Sequence, residues 1–137
     1  MSKEALAEKI RKKLVIESEI TDEVIDKASR LIGLTKEGKI IFKIDRGRLS
    51  IADQVLLYLI AKRLAYEAEL VDRDSCSLSE LAQELGISVR VVAARLSELL
   101  RKNLVERLET GTYRVSPLAI SETINRLEGL LQVDREQ

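Results

Sequence analysis

Apolar and polar positions alternate along the chain with the periods of helices and of one strand. A helix is predicted over residues 3–17, where apolar side chains recur every four positions. A second helix is expected over residues 21–33, because a capping threonine opens this segment and a glycine can end it. The segment KIIFKI, residues 39–44, alternates in a way that predicts a short strand. Residues 1–49 are therefore expected to form an N-terminal helical extension with one short strand.

A long helix is predicted to begin after Ser50, since Ser50 and Asp53 form a capping-box pattern. It should run to about Leu70. Its apolar residues surround the helix axis and leave no wide polar face, which is typical of a helix that is covered on several sides. We therefore expect this helix to be the central packing element, either between the N-terminal helices and the C-terminal part of the chain or between two subunits.

The stretch LAQELGISVRVVAARLSELL, residues 81–100, has the spacing of a helix-turn-helix. Ala82 is small enough for two helices to cross closely, and Gly86 tolerates the positive φ that the turn requires. Ile87 supplies an apolar plug at the corner. The next segment, LVERLETGTYRVS, covers residues 104–116 and predicts a compact hairpin.

The residues from Leu78 to Pro117, LSELAQELGISVRVVAARLSELLRKNLVERLETGTYRVSP, resemble the winged-helix transcription regulators common in archaea and bacteria. The small residue, glycine, apolar plug, serine cap and hairpin occur in the order of that family. The resemblance implies a mainly α fold, namely a winged helix-turn-helix with a short β-hairpin wing. Residues 50–117 would form this domain and residues 118–137 a C-terminal helix.

The resemblance also implies a function in binding double-stranded DNA, as a transcription regulator or a chromatin-associated factor. Winged helices also serve as protein-binding modules, so the alternative is an interaction module in a larger assembly. Binding of random duplex DNA at low salt would distinguish the two, since phosphate binding depends on salt.

The second helix of the motif is expected to turn Val92, Leu96 and Leu99 inward. Its opposite face then carries small residues between Arg90 and Arg101, which lie about 16 Å apart along the axis. Such a face suits the phosphate backbone and DNA shape better than base edges. The expected DNA-contacting residues are Ser88, Arg90, Ala94, Ser97, Arg101, Arg107, Thr110 and Arg114.

Charge is unevenly distributed, although the formal net charge of the whole chain is +0. Residues 87–115 contain six basic and three acidic side chains, a net charge of +3, whereas residues 51–86 have a net charge of −4. If the hairpin pairs Leu108 with Tyr113, Arg107 faces Arg114 across the wing. Such an arrangement is unfavourable unless an anion such as phosphate lies between the two cations, the alternative being two solvated arginines.

The composition excludes several kinds of site. The chain has no histidine, which excludes imidazole catalysis. It has one cysteine, Cys76, which leaves too few ligands for a Cys/His zinc site and no partner for an intrachain disulfide. Aromatic residues make up 3%, too few for a platform that stacks single-stranded bases. The glycine-rich GLTKEGKI, residues 33–40, lacks the Ser or Thr of a phosphate loop and is interpreted as a helix end and turn. We expect no enzyme, cofactor or metal.

The setting of the protein is inferred from composition. Charged residues make up 34% and side-chain amides are few, which is typical of a thermophile and, with the resemblance, favours an archaeal source. A single cysteine, a charged N-terminus and no apolar run long enough to span a bilayer together favour the cytoplasm, with no membrane contact.

The C-terminal helix, which Ser116-Pro117 should open, carries a narrow apolar stripe. Its members recur at four, three and four residues and are Ile120, Ile124, Leu127 and Leu131. Narrow stripes with this spacing are characteristic of coiled-coil-like contacts, so we expect a homodimer seam here. The alternative is that the stripe packs on its own domain. A two-fold dimer would present two recognition helices about 34 Å apart.

Overall fold

The computed structural model describes residues 2–15, 20–109 and 111–136. The helices are α1 (Lys3–Leu14), α2 (Asp22–Ala28), α3 (Ile51–Glu67), α4 (Leu78–Leu85), α5 (Val89–Arg101) and α6 (Ile120–Glu136). The strands are β1 (Ile32–Leu34), β2 (Ile40–Phe42), β3 (Cys76–Ser77), β4 (Val105–Arg107) and β5 (Thr112–Val115). Short 3-10 helices occupy Arg46–Arg48 and Pro117–Ala119. The predicted fold class, mainly α with a β-hairpin wing, is confirmed. The predicted end of the first helix falls on residues 16–19, outside the described residues.

Helix α3 is the central packing element, as its sequence predicts. The Ser50 hydroxyl accepts a hydrogen bond from the Asp53 N–H at 3.1 Å and caps its N-terminus. Its buried residues face every side of the helix and are Gln54, Val55, Leu56, Leu57, Tyr58, Leu59, Ile60, Ala61 and Ala65. It packs against α4, α5 and β5, and also against α6, β1 and β2. The helix therefore joins the N-terminal extension and the C-terminal part of the chain in one core.

A three-stranded antiparallel sheet completes the C-terminal part, in the order β3-β5-β4. The hairpin of β4 and β5 is the predicted wing. Strand β3 was not predicted, because two residues are too short to show a period. It pairs Cys76 with Tyr113 and Ser77 with Thr112. This pairing attaches the wing to the chain just before α4 and so sets its position beside the helix-turn-helix.

The N-terminal extension contains two strands, which corrects the prediction of one. Helix α2 ends at Ala28, and Gly33 lies within β1 instead of ending the helix. Strand β1 pairs antiparallel with β2. The chain reverses between them, with Gly38 at φ 84 and its N–H donating to the Thr35 carbonyl at 2.9 Å. The segment GLTKEGKI is therefore part of a β-hairpin, and the expected helix end at Gly33 is wrong.

The apolar stripe of α6 is an internal core face, which corrects the predicted homodimer seam. Its four members, Ile120, Ile124, Leu127 and Leu131, are all buried within one chain. Helix α6 packs them against α2 and α3. Polar contacts close the edges of this packing: Arg30 pairs with Glu128 at 3.1 Å, and Arg126 pairs with Asp53 at 2.7 Å. A second copy cannot bury side chains that their own domain already covers, so the alternative of packing within the domain holds.

Candidate nucleic-acid interface

The helix-turn-helix has the local geometry that its sequence predicts. The Ser77 hydroxyl accepts a hydrogen bond from the Glu80 N–H at 3.0 Å and opens α4. Gly86 ends α4 in the left-handed conformation, at φ 64 and ψ 34. The Ile87 N–H then donates to the Ala82 carbonyl at 3.0 Å. The chain thus leaves α4 in a fixed direction and enters α5, whose N-cap is Ser88.

Gly86 supports a prediction that separates backbone strain from packing. A Cβ atom at Gly86 would meet no heavy atom within 4 Å, so only the left-handed φ opposes a side chain there. We expect Gly86→Val to lower the free energy of unfolding by about 1–3 kcal/mol, since β-branched residues strongly disfavour this conformation. Gly86→Asn is the matched control and should cost less, because asparagine tolerates it. Urea denaturation measures both, and a valine variant as stable as the parent would contradict this turn.

The two faces of α5 are divided as predicted. Val92, Leu96 and Leu99 are buried in the core. The opposite face is exposed and carries Arg90, Ala94, Ser97 and Arg101. Eleven residues of helix place the two arginine Cα atoms about 16 Å apart along the axis, with only small side chains between them. An extended polyanion can therefore come close to the helix over this distance.

Ion pairs divide the cations of α5 and the wing into two groups. Arg95 pairs with Glu98 at 3.0 Å, and Arg114 pairs with Glu106 at 2.7 Å, so these two charges are compensated. The remaining cations make no ion pair with any described residue and are exposed. We call them the basic surface: Arg90, Arg101, Lys102 and Arg107. Their charge is free to attract an anion from solution.

The register of the wing differs by one residue from the expected pairing, and the predicted opposition of Arg107 and Arg114 is wrong. Arg107 pairs with Tyr113, and Arg114 pairs with Glu106. The reason lies in the turn, where the Leu108 N–H donates to the Thr112 carbonyl at 2.8 Å and so moves Leu108 out of register with Tyr113.

The corrected register changes the environment of both wing arginines. The Arg114 Nε donates to the Glu106 carboxylate at 2.7 Å, and this hydrogen bond raises the pKa of Arg114 above its usual range. The Arg107 guanidinium lies over the Tyr113 ring, 6.0 Å from its centroid. The ring of Tyr113 thus positions Arg107, whose charge stays uncompensated. The charge of Arg114 is compensated by Glu106.

The other predicted site residues are placed unevenly. Ser88 uses its hydroxyl to accept from the Val91 N–H at 3.3 Å, so its oxygen already serves as a cap. Ala94 and Ser97 are exposed on the outer face of α5. Thr110, which is expected to contact DNA, lies outside the described residues. Arg90, Arg101 and Arg107 are the predicted cations that stand in the basic surface.

Sequence reasoning missed a residue that positions the motif. Arg46 of the N-terminal extension donates from Nη1 to the Leu85 carbonyl at 2.8 Å, at the C-terminal end of α4. Its guanidinium also lies 5.6 Å from the centre of the Phe42 ring. A cation at a helix C-terminus satisfies a free carbonyl and stabilises the helix dipole. The contact spans 39 residues along the chain, so no local pattern could have revealed it.

Cys76 is a core residue and is 1% exposed. Burial, a hydrogen bond with Glu80 and the charge of that carboxylate raise the pKa of its thiol well above the usual range, so the thiol stays protonated. Within the described ranges, no group of three potential ligands could hold a metal ion. None of the helices that the structure describes is both long enough and apolar enough to cross a membrane.

Comparison with known proteins agrees with this geometry. Residues 68–106 match the family model described as winged helix-turn-helix DNA-binding. The matched segment extends from the C-cap of α3 through α4 and α5 into β4. No curated protein and no solved structure shows a significant match to the chain. Residues 68–106, which include the helix-turn-helix and the first strand of the wing, are therefore similar to winged helix-turn-helix DNA-binding domains.

Proposed function

We propose that the protein binds double-stranded DNA mainly through the phosphate backbone, as a transcription regulator or a chromatin-associated factor. One observation carries this proposal. The exposed face of α5 presents Arg90 and Arg101, without ion pairs to any described residue, at the two ends of a surface of small side chains. In a helix-turn-helix, this is the face that approaches the DNA groove.

The side chains on this face favour backbone contact over base readout. Ala94 and Ser97 are too short to reach far into a groove, and they let the helix axis come close to the DNA. Arg90 can form two hydrogen bonds with guanine, but no Asn, Gln or Lys stands beside it on this face to read neighbouring bases. Affinity is therefore expected to come from phosphate contacts and from DNA shape.

The charge distribution supports a defined orientation on DNA. The net charge of residues 87–115 is +3, whereas that of residues 51–86 is −4. Attraction of residues 87–115 to a polyanion and repulsion of residues 51–86 from it favour an approach with α5 and the wing foremost. This orientation matches the one that the basic surface requires.

Binding of random duplex DNA across a salt series tests the proposal. Fluorescence anisotropy should show log K falling linearly with log salt concentration, with a slope of about −3 if three or four phosphates are neutralised. Unrelated duplexes of equal length should bind with similar affinity. Absence of salt-dependent binding at low salt would contradict the proposal and favour a protein-binding module.

The two wing arginines give a paired prediction. We expect Arg107→Ala to weaken duplex binding and to reduce the salt slope by up to about one, because its charge is uncompensated. The double variant Glu106→Gln/Arg114→Gln keeps the net charge and should change the slope little, because the ion pair already compensates Arg114. The same anisotropy series measures both. An equal loss in the double variant would instead show that Arg114 itself contacts phosphate.

A further inference from the structure

Helix α1 carries an apolar stripe that its own chain does not bury. Leu6, Ile10 and Leu14 lie on one face of the helix and are 50%, 44% and 73% exposed. No residue of α1 is buried. A lone 12-residue helix is marginally stable in water, and an amphipathic helix gains most of its stability by packing its apolar face. We therefore expect the stripe to pack against a partner surface.

An apolar groove of about 460 Å³ lies elsewhere on the same molecule. It is formed by α2, by the β1–β2 hairpin and by the C-terminal end of α3, and none of the elements that the structure describes fills it. Its lining is almost entirely apolar and includes Ile20, Ile25, Ala28, Ile32, Leu34 and Leu64. Ile25 is 48% exposed although it belongs to this lining. The groove thus leaves apolar area in contact with water, as the stripe of α1 does.

The basic charge of α1 is complementary to an acidic cleft that adjoins the groove. Helix α1 contains five basic and two acidic residues, a net charge of +3. At about 100° per residue, Lys9 and Lys13 flank the apolar stripe on one side. Glu67 lines the groove and also an adjoining cleft that contains Glu69 and Asp72. Glu69 and Asp72 are exposed and form no ion pair with another described residue, whereas Glu67 pairs with Arg63 at 2.8 Å and Lys43 also lines the groove. A helix seated in the groove would place its lysines near these carboxylates.

We propose that α1 of one copy of this chain occupies the groove of a second copy, and that two such contacts, exchanged reciprocally, form a homodimer. The groove begins at Ile20, and only residues 15–19 separate it from the end of α1. The helix and the groove are therefore neighbours along the sequence. Exchange of an identical element between copies is a low-cost route to a two-fold dimer, because one contact surface is used twice. The dimer therefore covers two helices and two grooves at once.

The oligomeric state of the full chain is the first test. Light scattering at tens of micromolar should find the parent dimeric. Leu6→Asp on the helix and Ile25→Asp in the groove should each weaken dimerisation by more than about tenfold, because each removes an apolar side chain that the proposed contact would bury and adds a charge. A monomeric parent would overturn the proposal. A monomer that binds vesicles of anionic lipid, and loses this binding in Leu6→Asp, would assign the stripe to a lipid surface instead.

Matched controls separate the proposed contact from a general effect of added charge. Ala5→Asp places the same charge next to Leu6 on the opposite side of α1 and should leave the dimer intact. Ile41→Asp changes a residue that is also 48% exposed but does not line the groove, and it too should stay dimeric. Circular dichroism confirms that all four variants are folded. If the two control variants weaken the dimer as much as Leu6→Asp and Ile25→Asp do, the proposal is overturned.

Crosslinking distinguishes a second copy from the chain's own groove. One tagged chain carries Ala7→Cys beside the stripe, and a chain of different size carries Ser29→Cys, which lines the groove. A flexible bis-maleimide should join the two chains. The native Cys76 is 1% exposed, so the parent serves as an unreactive control. If a chain with both substitutions yields only an internally crosslinked monomer, α1 lies in its own groove and the second copy is excluded.

Discussion

Replacing both Arg90 and Arg101 by alanine is expected to weaken duplex DNA binding alike for all sequences and to reduce the salt slope by about two. Each side chain stands at one end of the exposed face of α5 and has no ion pair with a described residue. Each should therefore release about one counterion equivalent on binding a phosphate. Anisotropy with two unrelated duplexes, across the same salt series as for the parent, measures both quantities.

The control for this double variant is Arg95→Gln/Glu98→Gln, which removes a compensated pair from the same helix. It keeps the net charge, so the salt slope should remain close to that of the parent. A different result is expected if Arg90 reads a base: Arg90→Ala would then change the preference between duplexes while the slope stays intact. That outcome would replace backbone binding by direct readout in this domain.

The second large effect concerns stability. We expect Ile124→Ala to lower the free energy of unfolding by about 2–5 kcal/mol, because the side chain is fully buried where α6 packs on α2 and α3. Urea denaturation followed by circular dichroism measures this change. Leu130→Ala is the control on the same helix, since Leu130 is 46% exposed and its truncation should cost much less.

Protein concentration decides whether Ile124 acts within one chain. If the loss of stability is the same at low and high protein concentration, the stripe of α6 belongs to the core of a single domain. A loss that grows on dilution would instead indicate that a second copy covers the stripe, as the original seam hypothesis held.

Local patterns were sufficient for the helix-turn-helix. Gly86 is the residue for a left-handed turn, Ser77 and Ser88 can cap helices, and Val92 with Leu96 marks the inner face of α5. Each of these features depends on residues within one or two helical turns of each other, so the local sequence is enough to predict it. The exposed arginines of α5 followed from the same periodicity, because a buried face defines its opposite.

The wing and the N-terminal extension were predicted less well. A shift of one residue in the hairpin reverses which side chains face each other, and the hydrogen bonds of the turn decide that register. The strands β1 and β3 contain three and two residues, too few to show alternation. Their strand character comes from partners that lie far away in sequence or across a turn.

By itself, the sequence determined the helices, the turn at Gly86, the buried face of α5 and therefore the arginines that point away from the core. Only the tertiary structure decided which apolar stripe is covered. The stripes of α1 and α6 both recur at helical spacing, yet α6 is buried by α2 and α3 while α1 is exposed. Periodicity reports that a face is apolar, but the partner that covers it is set by long-range packing. In the wing, the register set by the turn pairs Arg114 with Glu106 and leaves Arg107 uncompensated.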